Sequence, residues 1–175
     1  MTLQVLIVRH APAEDRGEFA STGQSDDLRP LSHQGEEKMR QNIQGLQCVV
    51  SQIDGIVYSP LIRAQQTAKL LASAYHMARQ KSLRALAPAG SESAILEYLQ
   101  KKAKTMKTIA LVGHEPDLGE LATWLLCGRQ DYWMPFKKGG ICLLEFVNGV
   151  EAGNAELRWM LKPKQLRQLA EKMLG

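Results

Sequence analysis

Arg9-His10 and His114 each follow directly on a short apolar run, and Arg63 stands just beyond a third such run that ends at Tyr58. If those runs are strands of an open α/β sheet, their carboxyl ends form the edge where ligands bind. Three strand ends would then deliver two guanidiniums and two imidazoles to one place. Arg63 falls in the first turn of the helix after Ser59-Pro60, and helical side chains lean toward their own N-terminus, so it can reach back over the sheet edge. The first N–H groups of that helix, and of the one opening near Glu115, point the same way and favour anions.

Such a set suits a dianionic, tetrahedral ligand. Arginine offers a planar fork that matches phosphate oxygens. A neutral imidazole can attack phosphorus when a neighbouring positive field keeps its pKa down. A second imidazole, protonated, can hold the equatorial oxygens as charge builds. The constellation therefore predicts phosphoryl transfer through a phosphohistidine intermediate. Each residue alone has a plainer reading: a lone histidine after a strand is usually structural, and a lone arginine is usually a surface charge. The coincidence of Arg9, His10, Arg63 and His114 on one edge favours the chemical one.

A metal site is the chief rival for paired histidines. The chain has no H-x-H, no H-E-x-x-H and no cysteine pair, so neither a metal nor a cofactor is expected. The run Glu115-Pro116-Asp117 reads as ordinary helix-start chemistry. His33 lies in a first helical turn and His76 near a helix end, and both are expected to be structural or exposed. Cys48, Cys127 and Cys142 are odd in number and widely spaced, which argues against a disulfide framework and suits a reducing cytoplasm; all three are expected to pack as small hydrophobes. Lys137-Lys138-Gly139-Gly140 reads as a solvated turn before a strand, with phosphate contact as the alternative. The stripe Leu121, Trp124, Leu125 reads as core.

The elements that must position these groups are legible from patterning. Residues 3–8, 53–58, 108–113, 141–147 and 156–161 read as strands, and a short strand and turn fall at 83–90. Residues 108–113 are apolar without alternation, as in a parallel strand covered on both faces. Ser32 caps a helix carrying Met39, Ile43, Leu46 and Val50. Ser59-Pro60 opens a helix running to about Tyr75, Ser91-Glu92 opens another, and the helix after Pro116 ends at Gly128. Pro163 starts a last helix with Leu166, Leu169 and Met173. Residues 11–31 read as a long loop, a feature that is often functional. Strands alternating with helices imply an α/β three-layer sandwich, with a mostly parallel central sheet and helices on both faces.

At 175 residues, with 45% hydrophobic and 23% charged residues, the chain is expected to form one domain over residues 1–175 and is not disordered as a whole. The N-terminal apolar stretch has no basic segment before it and reads as a strand, not a signal peptide. No apolar run approaches a membrane span. The net charge of +4 is mild and separates by segment. Residues 14–37 hold seven acids against Arg16 and Arg29, and residues 79–107 hold seven bases against Glu92 and Glu97. This reads as two solvated faces of opposite sign, with partner selection by the acidic stretch as the alternative; nucleic acid is not an expected partner.

Four segments in order resemble the histidine phosphatase superfamily, also called the phosphoglycerate-mutase-like family: Leu6-Ile7-Val8-Arg9-His10-Ala11, Arg29-Pro30-Leu31-Ser32-His33-Gln34-Gly35, Tyr58-Ser59-Pro60-Leu61-Ile62-Arg63-Ala64-Gln65-Gln66-Thr67-Ala68 and Leu111-Val112-Gly113-His114-Glu115-Pro116. The short length and the R-P-L-S-x-x-G block resemble its SixA-type branch. The resemblance implies His10 as nucleophile, with Arg9, Arg63 and His114 binding the transferring group. It implies a phosphohistidine on a partner protein, such as a phosphotransfer domain, as substrate.

Two departures stand out. Ala11 replaces the glycine that often follows the leading Arg-His. The inserted segment that carries a glutamate acid in mutase-type members has no counterpart in residues 78–107. Asp15 or Glu18 remain as candidate proton donors. An imidazole leaving a phosphoramidate needs less protonation than an alkoxide, so the missing acid tilts the expectation toward phosphohistidine. The missing lid implies an open, shallow site that suits a protein surface. A small-molecule phosphomonoesterase and a non-catalytic phosphoprotein-binding module are the alternatives.

Overall fold

The computed structural model describes residues 2–174, without the side chains of residues 173 and 174, so Met173 of the expected apolar stripe lies outside the described residues. Six strands form one sheet: β1 (Leu3–Arg9), β2 (Gly55–Tyr58), β3 (Arg79–Ser82), β4 (Thr108–Gly113), β5 (Ile141–Phe146) and β6 (Ala155–Leu161). Their order is β3-β2-β4-β1-β5-β6. The first four run parallel, while β5 and β6 are antiparallel additions.

The α-helices among the described residues are α1 (Arg16–Ala20), α2 (His33–Gln47), α3 (Ile62–Ala74), α4 (Glu92–Lys102), α5 (Asp117–Cys127) and α6 (Pro163–Leu174). Strand β1 sorts them into layers. Its side chains alternate across the sheet, so Leu3, Val5 and Ile7 pack with Leu99 of α4 and Leu118, Leu121 and Leu125 of α5. Leu6 and Val8 face the other way, onto Met39, Ile43 and Leu46 of α2, Ala64 and Leu71 of α3 and Leu166 of α6. This is the expected sandwich, with helices on both faces. Each fully buried Leu, Ile or Val contributes about 1.5–3 kcal/mol of apolar transfer free energy.

Local chemistry shifts three expected elements. The long loop at 11–31 contains α1, whose first N–H groups on Gly17 and Glu18 are taken by the Asp15 carboxylate, and a short 3-10 turn at Asp26–Leu28 capped by Ser25. Helices this short are set by caps and show no apolar period. The strand expected at 83–90 is instead β3, at Arg79–Ser82, with a 3-10 turn at Arg84–Leu86. β3 is an edge strand with all four residues exposed, so hydrophobicity does not mark it. Helix α3 begins at Ile62 and not at Ser59-Pro60, and Ser59 is free for another contact.

The cysteines also divide. Cys142 is buried in the core as expected, but Cys48 is half-buried and Cys127 is exposed, because Cys127 is the last residue of α5 before the left-handed Gly128. His33 and His76 are exposed. Among the described residues, no helix is long and apolar enough to cross a membrane.

Candidate active site

Strand order builds the site. β4 is inserted between β1 and β2, with Arg9 paired to Gly113 and Tyr58 to Val112. The next residues, His10, His114 and Ser59, therefore emerge side by side at the carboxyl edge. The His10 N–H donates to the Gly113 carbonyl at 3.1 Å and the Ser59 N–H to the Val112 carbonyl at 2.9 Å. Because β5 is antiparallel, the turn that precedes it lies at the same edge. Gly139 donates its N–H to the carbonyls of Arg9 and His10 at 3.1 and 3.0 Å. Its φ of +77° favours glycine, and a Cβ there would come within 2.9 Å of Asn42 Nδ2.

Arg9, His10, Arg63 and His114 line one open cavity of ≈ 1010 Å³. Arg63 reaches it from the first turn of α3. The His10 and His114 ring centroids are 5.2 Å apart at an interplanar angle of 55°. His10, Arg63 and His114 are buried side chains (5%, 3% and 4% exposed) bordering an open hollow.

Hydrogen bonds assign opposite tautomers to the two imidazoles. His10 Nδ1 lies 2.7 Å from the Ala11 carbonyl. A carbonyl only accepts, so Nδ1 carries the proton and Nε2 keeps its lone pair. His114 Nε2 lies 2.7 Å from Ser59 Oγ. That oxygen accepts the Leu61 N–H at 3.3 Å, and its hydroxyl proton has no other acceptor among the described residues, so it donates to Nε2 and the His114 proton sits on Nδ1. His114 Nδ1 is buried and has no hydrogen-bond partner among the described residues. Arg9 Nε and Arg63 Nε are likewise buried and unpartnered.

Burial pushes His10 down to about 3, with His114, Arg63 and Arg9 adding to the fall and the Ala11 carbonyl opposing it. Burial also pushes His114 down to about 4, with Arg63 and Arg9 adding. Desolvation, more than the expected positive field, keeps His10 neutral, and the same desolvation works against protonation of His114.

The arginines are held in place. Arg9 Nη1 donates to the Phe136 carbonyl at 2.5 Å. Arg63 donates through Nη1 to the Asp26 carbonyl at 2.8 Å and pairs through Nη2 with the Asp26 carboxylate at 3.2 Å. Arg29, buried and also lining the cavity, donates to Asp26 Oδ1 at 2.7 Å and to the Glu14 carbonyl at 2.8 Å. The Arg29 hydrogen bond, with Arg63 and Arg16 behind it, holds Asp26 below its usual carboxylate value. Thr67 Oγ1 accepts the Ala11 N–H at 3.1 Å and donates to the Arg63 carbonyl at 2.8 Å, joining the first and third motifs.

Sequence reasoning missed several of these groups. Ser59 was read as a cap, but it serves His114. Asp26 and Arg29 lay in an acidic loop and in a motif block with no role derived for them. Lys138, read as a solvated turn residue, lines the cavity, and burial followed by Arg9 and Arg29 lowers its pKa. Glu115, read with Asp117 as helix-start chemistry, lines the cavity as well. Asp15 also borders it, but its carboxylate is engaged by N–H groups that lower its pKa. That makes it a poor proton donor. Glu18 is exposed. Among the described residues, no group of three or more His, Cys, Asp or Glu is placed to hold a metal ion.

The strand order brings two arginines and two histidines to the carboxyl edge of one α/β sheet. The family model of the histidine phosphatase superfamily (branch 1) matches residues 5–87, and the chain belongs to that superfamily, in a SixA-like branch. It is 35% identical over 157 residues to an uncharacterized protein of Picosynechococcus sp., covering 89% of each chain. It is 25% identical over 167 residues to the phosphohistidine phosphatase SixA of Escherichia coli, covering 94% of this chain and 97% of that one. Among solved structures, a tungstate complex of the protein histidine phosphatase SixA superposes with a TM-score of 0.79 at 26% identity, over 94% of this chain and 99% of that one.

Proposed function

We propose that this protein is a phosphohistidine phosphatase that removes the phosphoryl group from a histidine on a partner protein, through a covalent intermediate on His10. The observation that carries the reading is the tautomer pair: an unprotonated His10 Nε2 and a free His114 Nδ1–H bordering one cationic hollow. In the first step the Nε2 lone pair attacks phosphorus, and the bond from phosphorus to the leaving nitrogen breaks. In the second, water attacks the phosphorus on His10, and the electron pair of the P–N bond returns to Nε2. Arg9 and Arg63 hold the non-bridging oxygens, and His114 Nδ1–H donates to one of them. A bound dianion raises the His114 pKa, so the imidazole becomes a stronger donor as charge accumulates.

The protein substrate is supported by the openness of the hollow and by the similarity to SixA proteins. Every proposed site residue lies at the carboxyl edge of one sheet or in the first turn of the helix that follows it, which supports reading the chain as one catalytic unit. The test compares turnover of a phosphohistidine-bearing phosphotransfer domain with that of sugar phosphates. Faster release from the protein is expected, together with acid-labile, base-stable label on His10. Much faster turnover of the sugar phosphates would overturn the substrate assignment. Binding with no label and no release would leave a phosphoprotein-binding module.

A further inference from the structure

We infer that Glu115 is the proton donor to the leaving group: it follows His114 directly, lines the cavity with His10 and Arg9, and carries an oxygen, Oε1, without a hydrogen-bond partner among the described residues. The inference rests on the covalent reading above and names the acid that reading lacks.

The two Glu115 oxygens are unequal. The Tyr132 hydroxyl donates to Oε2. Oε1 is buried and has no hydrogen-bond partner among the described residues. A carboxylate in that setting strands a charged, buried acceptor, which is costly. Protonation removes that charge: Oε2 still accepts from Tyr132, and a proton on Oε1 meets no acceptor among the described residues, so it is available to a leaving group. Burial raises the Glu115 pKa, with Asp117 adding, against Arg9, the Tyr132 hydrogen bond and the Phe136 backbone, which favour the charged form. A bound phosphoryl dianion draws on Arg9 and moves the balance further toward the acid. Asp15 and Asp26, on the same cavity, are spent on backbone N–H groups and on arginines.

The step balances. As His10 Nε2 forms its bond to phosphorus, the leaving atom takes the electron pair of its breaking bond and the proton of Glu115 Oε1. The resulting carboxylate then takes a proton from the attacking water as phosphate is released, which restores the acid. Imidazole leaves a phosphoramidate with little help, whereas an alkoxide needs the proton in the transition state. Glu115 therefore extends the chemistry of the site from phosphohistidine to phosphate monoesters with poor leaving groups.

The experiment measures kcat/KM of the full chain, and of Glu115→Gln and Glu115→Asp, on para-nitrophenyl, phenyl and alkyl phosphates. Glu115→Gln is expected to lose about 10²–10⁴-fold on the alkyl phosphate, less on phenyl phosphate, and least on para-nitrophenyl phosphate. Glu115→Asp should recover part of the loss and covers the case of a Gln variant that does not fold. An equal loss on all three substrates would mean that Glu115 only positions Arg9, and would overturn the inference. So would no loss, or wild-type turnover of the alkyl phosphate no faster than that of the variant. Failure of the covalent reading itself shows separately, as absence of label on His10 in the wild-type protein with para-nitrophenyl phosphate.

Discussion

Replacing Ser59 with alanine tests the tautomer assignment on which the site chemistry depends. Ser59 is fully buried, and its Oγ serves the Leu61 N–H at 3.3 Å and His114 Nε2 at 2.7 Å. Ser59→Ala strands both groups where water does not reach. A buried unsatisfied polar group costs about 1–3 kcal/mol, so the two together predict a loss of about 2–6 kcal/mol. In a chain of this size 1 kcal/mol moves Tm by about 2–4 °C, and a fall of roughly 4–24 °C follows. Activity falls for a different reason. Without the Ser59 hydroxyl the His114 proton is free to move to Nε2, and the Nδ1–H donor is lost. A hydrogen bond to a charged group is worth about 1.5–3 kcal/mol, which predicts about 10–100-fold in kcat/KM for para-nitrophenyl phosphate. Thermal unfolding followed by circular dichroism and steady-state kinetics read the two effects separately. A Ser59→Ala protein with wild-type Tm and wild-type kcat/KM would refute the network and, with it, the assigned His114 proton.

Further outcomes follow from the same geometry. Arg63→Ala should cost more activity than Arg63→Lys, with lysine restoring only part because the planar fork is lost; equal rates for Arg63→Ala and wild type would refute the clamp. The Asp26 carboxylate pairs with Arg63 Nη2 at 3.2 Å, so Asp26→Asn should tighten competitive inhibition by inorganic phosphate by about 3–10-fold; unchanged inhibition would show that Asp26 does not compete. His10 and His114 have folded pKa values depressed to about 3 and about 4. Their contribution to stability is complete above the ordinary histidine value of about 6.5 and is lost as pH falls through those folded values, because the unfolded chain binds protons first. The slope is at most about 1.4 kcal/mol per pH unit for each histidine. Urea unfolding between pH 7 and pH 4 should therefore show a steeper loss for wild type than for a His10→Asn, His114→Asn double variant (a pH range set by about 6.5 and the folded values); parallel curves would contradict the burial argument.

The fold was legible because its strongest signals are local. The apolar run at β1, the unalternating run at β4, the Ser32 cap with its Met39-Ile43-Leu46 stripe and the Gly128 stop each reflect a few neighbouring residues. What escaped was equally local in cause: β3 has no apolar residue to announce it, and α1 is too short to show a period.

For the site, the order of motifs along the chain was enough to single out Arg9, His10, Arg63 and His114, since strand ends are marked by where apolar runs stop. Their partners were not readable. Ser59 serving His114 spans 55 residues, and Asp26 holding Arg63 spans 37. Both exist only because β4 inserts between β1 and β2 and because the first loop folds back over α3. The protonation states were hidden for the same reason: residue type sets the ordinary pKa, but the depth at which each imidazole and the Glu115 carboxyl is buried sets the working one, and burial belongs to the tertiary structure alone.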